Sequence, residues 1–234
     1  MFGNLVYLGH LLLKYRQSSP ERNYIRHSWR NFGHMTFDLL LALSLFAFVS
    51  SITPGPNNLM LMASGANFGF RRTIPHMLGV ALGFVFMVLM VGAGLVQVFD
   101  TYPVSYLVLK FASVVYLLWL SWKIAYAAPI HDGAANGQPM SFIQAAGFQW
   151  INPKAWAMAL TAISAYTPSQ TLGAIALVGL VFGAINLPSV GSWTVIGQQM
   201  ARVLTNPRRM TVFNRVMAAL LVASLYPVLW PAQP

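Results

Sequence analysis

The chain has 234 residues, 57% of them hydrophobic and only 8% charged, with a mean hydropathy of +0.60. A soluble domain carries about 25% charged residues, so this composition cannot clothe a water-facing surface and describes an all-α polytopic membrane protein. The net charge of +10 would suggest nucleic acid in a soluble chain, but here the basic residues fall between apolar segments with no nucleic-acid module behind them; the absence of cysteine excludes disulfides, iron–sulfur clusters and thiol nucleophiles.

Residues 1–34 form a leader. Its apolar run "LVYLGHLLL" precedes its charges, the reverse of a signal peptide. Lys14, Arg16, Arg22, Arg26 and Arg30, set against Glu21, would hold the N-terminus in the cytoplasm. From Met35 onward no basic residue precedes the first span. The expectation is that 1–34 is an upstream start artefact or a dispensable leader, and that 35–234 is one membrane domain. The alternative is a cytoplasmic amphipathic leader with an added re-entrant segment.

A membrane span needs about 20 mostly apolar residues. Six stretches qualify: 38–65, 74–98, 104–126, 141–165, 171–197 and 211–231. Arg71, Arg72, Lys123, Arg202, Arg208 and Arg209 lie in or beside the loops 66–73, 127–140 and 198–210, with Arg215 just inside span six. The opposite loops, "QVFDTYPVSY" and "YTPSQT", contain no Lys or Arg. The basic loops are therefore cytoplasmic, and both termini of the six-span unit are periplasmic.

Six spans divide into repeat 1, about 35–126, and repeat 2, about 141–234. Gly79 and Gly83 of span two match Gly179 and Gly183 of span five, and Pro56 of span one matches Pro153 of span four. Three spans per repeat force opposite orientations, so the expected fold is two inverted three-helix repeats with broken helices in spans one and four. The glycines serve close helix packing, within one chain or between copies, which leaves a homo-oligomer open.

Paired breaks mark a transporter's binding site. Proline inside a helix frees a carbonyl, and a freed carbonyl in a bilayer must face protein or a polar cavity. The candidate substrate-binding residues are therefore Thr53, Pro54, Gly55, Pro56, Asn57 and Asn58 in the first break, and Asn152, Pro153 and Lys154 in the second. Freed carbonyls suit a substrate ammonium; the resuming half-helix N-termini suit a carboxylate. Lys154 has two readings: pairing with a substrate carboxylate, or binding broken-helix carbonyls or snorkelling. Lys110 reads as a snorkelling residue. In "GAINLPSVGSW", Asn186 joins the candidates and Pro188 suggests a third irregularity or a simple kink, while Ser189, Ser192 and Trp193 could line a cavity. Trp119, Trp122, Tyr126, Trp150, Tyr226 and Trp230 fit an interfacial belt.

Two titratable side chains near the span ends are candidate switches: Asp38, at the outer edge of span one, and His76, at the start of span two. Helix capping competes for the first and an interfacial role for the second. Asp132 reads as solvated. No mid-span Asp or Glu is present to match a cationic solute. No carboxylate pair, HExxH or GxSxG supports an enzyme, and no metal ligands or cofactor are indicated. A metal or other inorganic-ion exporter on a related inverted-repeat fold is the alternative.

The block "SITPGPNNLMLMASGANFGFRRTIPHMLGVALGF", followed in order by "YLLWLSWKIA", "FQWINPKAW" and "FNRVMAALLVAS", resembles the LysE/RhtB amino-acid exporter family over residues 35–234. The resemblance implies export of amino acids or related metabolites across the bacterial inner membrane, driven by the proton-motive force, through six hydrophobic segments. The partners it implies are a small amino acid, protons and the lipid bilayer. Asp38 and His76 are then the proton-coupling candidates. With no mid-span Asp or Glu to match a cationic side chain, the expected amino acid is neutral, such as threonine, homoserine or one with a branched or small side chain.

Overall fold

The computed structural model describes residues 36–95, 97, 101–102, 104–127, 138–167, 171–204 and 206–229. The leader, Asp100, His131, Asp132 and Trp230 lie outside the described residues. Every regular element among the described residues is helical.

Helix α1 spans Phe37–Ile52. Thr36 caps it, its hydroxyl accepting from the Leu39 N–H at 3.2 Å. The helix stops where the sequence says it must: Thr53 precedes a proline and is extended (φ −63°, ψ 134°), as the clash with a following ring requires. Helix α2, Pro56–Met90, restarts with proline at its first position, where the missing N–H costs nothing. A short π-helical turn, Val91–Leu95, continues it.

Helix α2 is not straight. Gly69 has φ 77° and ψ 167°, a region open to glycine alone. Nine residues of straight helix would separate Ser64 from Thr73 by about 13.5 Å, yet their hydroxyls are 2.9 Å apart. The segment 70–90 thus turns back beside 56–68, and Leu61 joins Met77 and Val80 in one buried cluster. The expected loop 66–73 between spans one and two contracts to this single-residue turn. A Cβ on Gly69 would meet nothing nearer than Gln198 Oε1 at 3.9 Å, so the constraint is one of backbone conformation. Gly69→Ala should lower stability by about 1–3 kcal/mol; a thermal melt of the detergent-solubilised protein checks it, and an unchanged melt contradicts the assignment.

The remaining helices are α3 (Val104–Ala125), α4 (Phe142–Gln149), α5 (Pro153–Tyr166), α6 (Leu172–Val203), α7 (Pro207–Ala223) and α8 (Tyr226–Leu229). The stretches Pro56–Leu95, Leu107–Ala125 and Leu172–Val203 are apolar and long enough to cross a membrane. The predicted span four is two helices, α4 and α5, parted at 150–152. The predicted span six begins earlier than the hydropathy implies: Asn206 caps α7, its side-chain oxygen accepting from the Arg208 N–H at 2.9 Å, and Pro207 takes the first position. Arg208 and Arg209, expected in a loop, lie in this first turn.

Helix α6 is the spine. Segment 70–90 packs antiparallel to it, and α1 packs against it through Phe46, edge-on to Phe182 at 5.7 Å. Pro188 does not break α6; it is exposed, and Ser189 and Ser192 donate to carbonyls of their own helix, Ile185 and Ser189. Small residues set the crossings. A Cβ on Gly79 would lie 2.4 Å from the Phe142 carbonyl oxygen and one on Gly83 2.6 Å from Ala146 Cα, so this pair seats α4. Gly179 and Gly183 instead face Val85 and Leu89 of α2. Both pairs pack within one chain, and they do unequal jobs. Leu45, Phe48, Leu107, Phe111 and Val115 are exposed, as lipid-facing residues are. Trp150, expected in the interfacial belt, sits at the α4–α5 break, its ring edge-on to Trp156 at 6.1 Å.

Candidate functional site

The two breaks meet. At the first, the lost helical bonds leave the carbonyls at the end of α1 to other donors, and three of these carbonyls, Ser51 to its cap Thr53, find side chains. Ser51 O accepts from Asn58 Nδ2 at 2.8 Å. Ile52 O accepts from Trp193 Nε1 at 3.1 Å. Thr53 O accepts from Asn58 Nδ2 at 2.9 Å and also from the Lys154 ammonium. At the second break the chain tightens into successive i to i−3 bonds from Trp150, Ile151 and Asn152. Trp156 Nε1 then donates to Trp150 O at 2.8 Å, and the Ser113 hydroxyl donates to Ile151 O. Asn152 caps α5, its side-chain oxygen accepting from the Lys154 N–H at 3.1 Å. Backbone that a bilayer could not solvate is thereby satisfied by protein.

Two contacts tie the breaks together. Asn57 and Gln149 exchange amide hydrogen bonds at 2.8 and 3.2 Å, and Lys154 reaches Thr53. Each comes from the second residue of a resuming half-helix. Between them lies a pocket with a polar wall of Ser50, Ser51, Asn57, Asn58, Gln149, Asn152, Lys154 and Asn186, and an apolar wall of Phe84, Ala155, Met158 and Val190. Among these residues Lys154 is the one charged side chain, and none is a carboxylate. The half-helices 56–68 and α5 begin at the pocket, presenting first-turn N–H groups that have no acceptor within the helix. Asn186 Nδ2 donates to Ser51 Oγ at 3.1 Å, while its buried Oδ1 has no partner. The free volume at the centre is about 20 Å³, room for about one water molecule. An amino acid needs more, so this conformation is closed around the site.

The model of the LysE type translocator family matches residues 48–225, from the end of α1 to the end of α7. The chain belongs to this family. It is also 31% identical over 193 residues to proteins named cysteine/O-acetylserine efflux protein from Escherichia coli O9:H4 (strain HS), Escherichia coli (strain K12) and Shigella sonnei (strain Ss046), covering 80% of this chain and 96% of each relative. No solved structure matches it significantly. The chain is a membrane translocator, not an enzyme.

In this translocator the pocket gathers Asn57, Asn58, Asn152, Lys154 and Asn186, with the Thr53 carbonyl at its edge. Pro56 and Pro153 start the half-helices without entering the pocket. Gly55 makes room for Lys154, since a Cβ there would lie 2.7 Å from Lys154 Cδ. Pro54 is exposed and borders a separate apolar groove with Leu59, Trp193 and Met217. Asp38 lies in the exposed first turn of α1, away from the pocket; the cap there is Thr36. His76 is 1% exposed in segment 70–90, and neither ring nitrogen has a hydrogen-bond partner. Among the described residues no three His, Cys, Asp or Glu side chains group to hold a metal ion.

Sequence reasoning passed over Gln149 and Ser51. Gln149 is fully buried and holds both the first break and the Ala145 carbonyl, at 2.9 Å. One signal was present: a glutamine in the apolar run "AAGFQW", immediately before a helix break.

Proposed function

We propose that this translocator exports small amino acids with uncharged side chains, of the kind to which cysteine, O-acetylserine, threonine and homoserine belong, across the bacterial inner membrane. The observation that carries the proposal is the meeting of two helix breaks at one buried polar pocket that holds a lysine and no carboxylate. The half-helix N-termini and Lys154 offer a carboxylate site. The carbonyls of α1 and Asn186 Oδ1 offer acceptors for an ammonium. Phe84, Ala155, Met158 and Val190 form an apolar wall with no counter-charge for a lysine or arginine side chain.

In this reading the chain crosses the membrane six times as two inverted repeats, 35–126 and 141–234, with basic loops in the cytoplasm and both ends of the unit in the periplasm. The reciprocal reach of Asn57 to Gln149 and of Lys154 to Thr53 supports it, because Asn57 and Lys154 are corresponding residues. Rocking one repeat against the other opens the pocket to each side in turn. Inward movement of one proton across about 150 mV supplies roughly 3.5 kcal/mol, enough for an outward gradient of a few hundredfold.

His76 is the favoured proton carrier. An unpartnered buried imidazole costs free energy, and Asp38 stands outside the protein interior. His76→Leu should preserve or raise thermal stability while cutting proton-driven accumulation against a gradient by about tenfold or more. Undiminished accumulation would pass the role elsewhere. For the function as a whole, expression in a bacterium fed dipeptides should raise the amino acid in the medium and lower it in the cell. Unchanged partition for every small neutral amino acid would overturn the proposal.

A further inference from the structure

Lys154 makes a contact that substrate binding as proposed above does not use. Its ammonium donates to the Thr53 carbonyl, which has lost its own helical partner because α2 takes Gly55 O as its first acceptor, from Leu59 N at 3.0 Å. The seat is built. Gly55 lacks the Cβ that would stand 2.7 Å from Lys154 Cδ and 3.1 Å from Nζ. The contact crosses from one broken helix to the other, and the space beside it is closed to about 20 Å³. In the same pocket the buried Asn186 Oδ1 waits without a donor. An ammonium has three donors, and Lys154 uses one of them within hydrogen-bond reach, on Thr53.

We infer that the Lys154 ammonium is an internal stand-in for the ammonium of the substrate. The empty translocator closes by seating its own lysine on Thr53 O. An incoming amino acid displaces it, places its own ammonium on Thr53 O and Asn186 Oδ1, and releases Lys154 to its carboxylate. The inference rests on the amino-acid reading and sharpens it: a substrate must carry a free ammonium beside its carboxylate. The pocket carries one net positive charge when empty and the same when it holds a zwitterion. Both forms of the pocket can therefore reorient at similar electrostatic cost, which net export requires, since the translocator must return without amino acid.

The test uses proteoliposomes of the full chain loaded with a labelled amino acid that the wild type moves. Efflux into amino-acid-free buffer reports the empty return; exchange against the same amino acid outside bypasses it. Gly55→Ala crowds Lys154 out of its seat and keeps its charge, so net efflux should fall about tenfold to a hundredfold further than exchange does, as loss of one hydrogen bond to a charged group implies. Lys154→Met should lose net efflux too, and ethylammonium in the buffer should restore part of it by filling the vacated seat. Net efflux and exchange that fall together in Gly55→Ala, or that both stay, overturn the inference, as does Lys154→Met with full net efflux. A wild type that moves no amino acid in either mode sinks the amino-acid reading itself, so the two failures are distinguishable.

Discussion

Asn57→Ala should cut amino-acid efflux about tenfold to a hundredfold while the protein still inserts in the membrane. The amide of Asn57 is one half of a reciprocal pair with Gln149, at 2.8 and 3.2 Å. Removing it leaves Gln149 Oε1 with no partner in a fully buried side chain, a cost of about 1–3 kcal/mol. Stability and transport can then be separated. Replacing both partners with leucine removes the orphan, because two apolar groups of similar shape are close to neutral where one stranded polar group is not. The double variant Asn57→Leu with Gln149→Leu should therefore melt nearer to wild type than Asn57→Ala does, yet remain inactive, since the polar wall of the pocket is gone. Transport that recovers with stability would make the pair a structural tie alone. Lys154→Ala belongs to the same test: unchanged transport in it and in Asn57→Ala would reduce both breaks to architecture.

The largest effect on folding is expected at the crossing of α2 and α6. A Cβ on Gly65 would stand 2.1 Å from the Thr194 carbonyl oxygen, and one on Gly197 would stand 2.0 Å from the Met62 carbonyl oxygen. Both obstacles are backbone, so neither can swing aside as a side chain tip would. Gly65→Ala and Gly197→Ala should each destabilise by about 1–3 kcal/mol or more through overpacking, and the pair together should fail to accumulate. Gly147 and Gly173 are the controls, also helical but with nothing within 4 Å of a Cβ. Alanine at either should be neutral or mildly stabilising, following its better helix propensity. Melting temperatures of the four single variants decide the matter; equal effects at all four would refute the close crossing.

The features legible in the sequence were those imposed by local chemistry. Pro54, Gly55 and Pro56 cannot continue a helix, and Asn152 before Pro153 is a cap followed by a helix start, so both breaks could be placed from composition alone. The apolar runs located the helices, and the ordered blocks around "TPGPNN" and "INPKAW" carried the family. What escaped depends on contacts distant in the chain. Gln149 reads as one polar residue in an apolar run until Asn57 is found opposite it. Trp193 stood among cavity candidates, yet its indole N–H serves the Ile52 carbonyl. Pro188 looked like a third break because a proline is costly inside a helix; in the fold it faces outward and α6 runs through it. Gly79/Gly83 and Gly179/Gly183 looked like one motif repeated, but the first pair admits the backbone of α4 and the second the side chains of Val85 and Leu89. Spacing could not distinguish these, because a glycine records only that something comes close.

The central claim is that the pocket between the two breaks passes a small zwitterionic amino acid outward in exchange for protons. Its most direct test is efflux from proteoliposomes loaded with a panel of labelled amino acids, with and without an imposed proton gradient. Small neutral amino acids should leave, faster and against a gradient when protons can enter, and lysine and arginine should stay. If no amino acid moves in either condition while a divalent cation does, the account is contradicted.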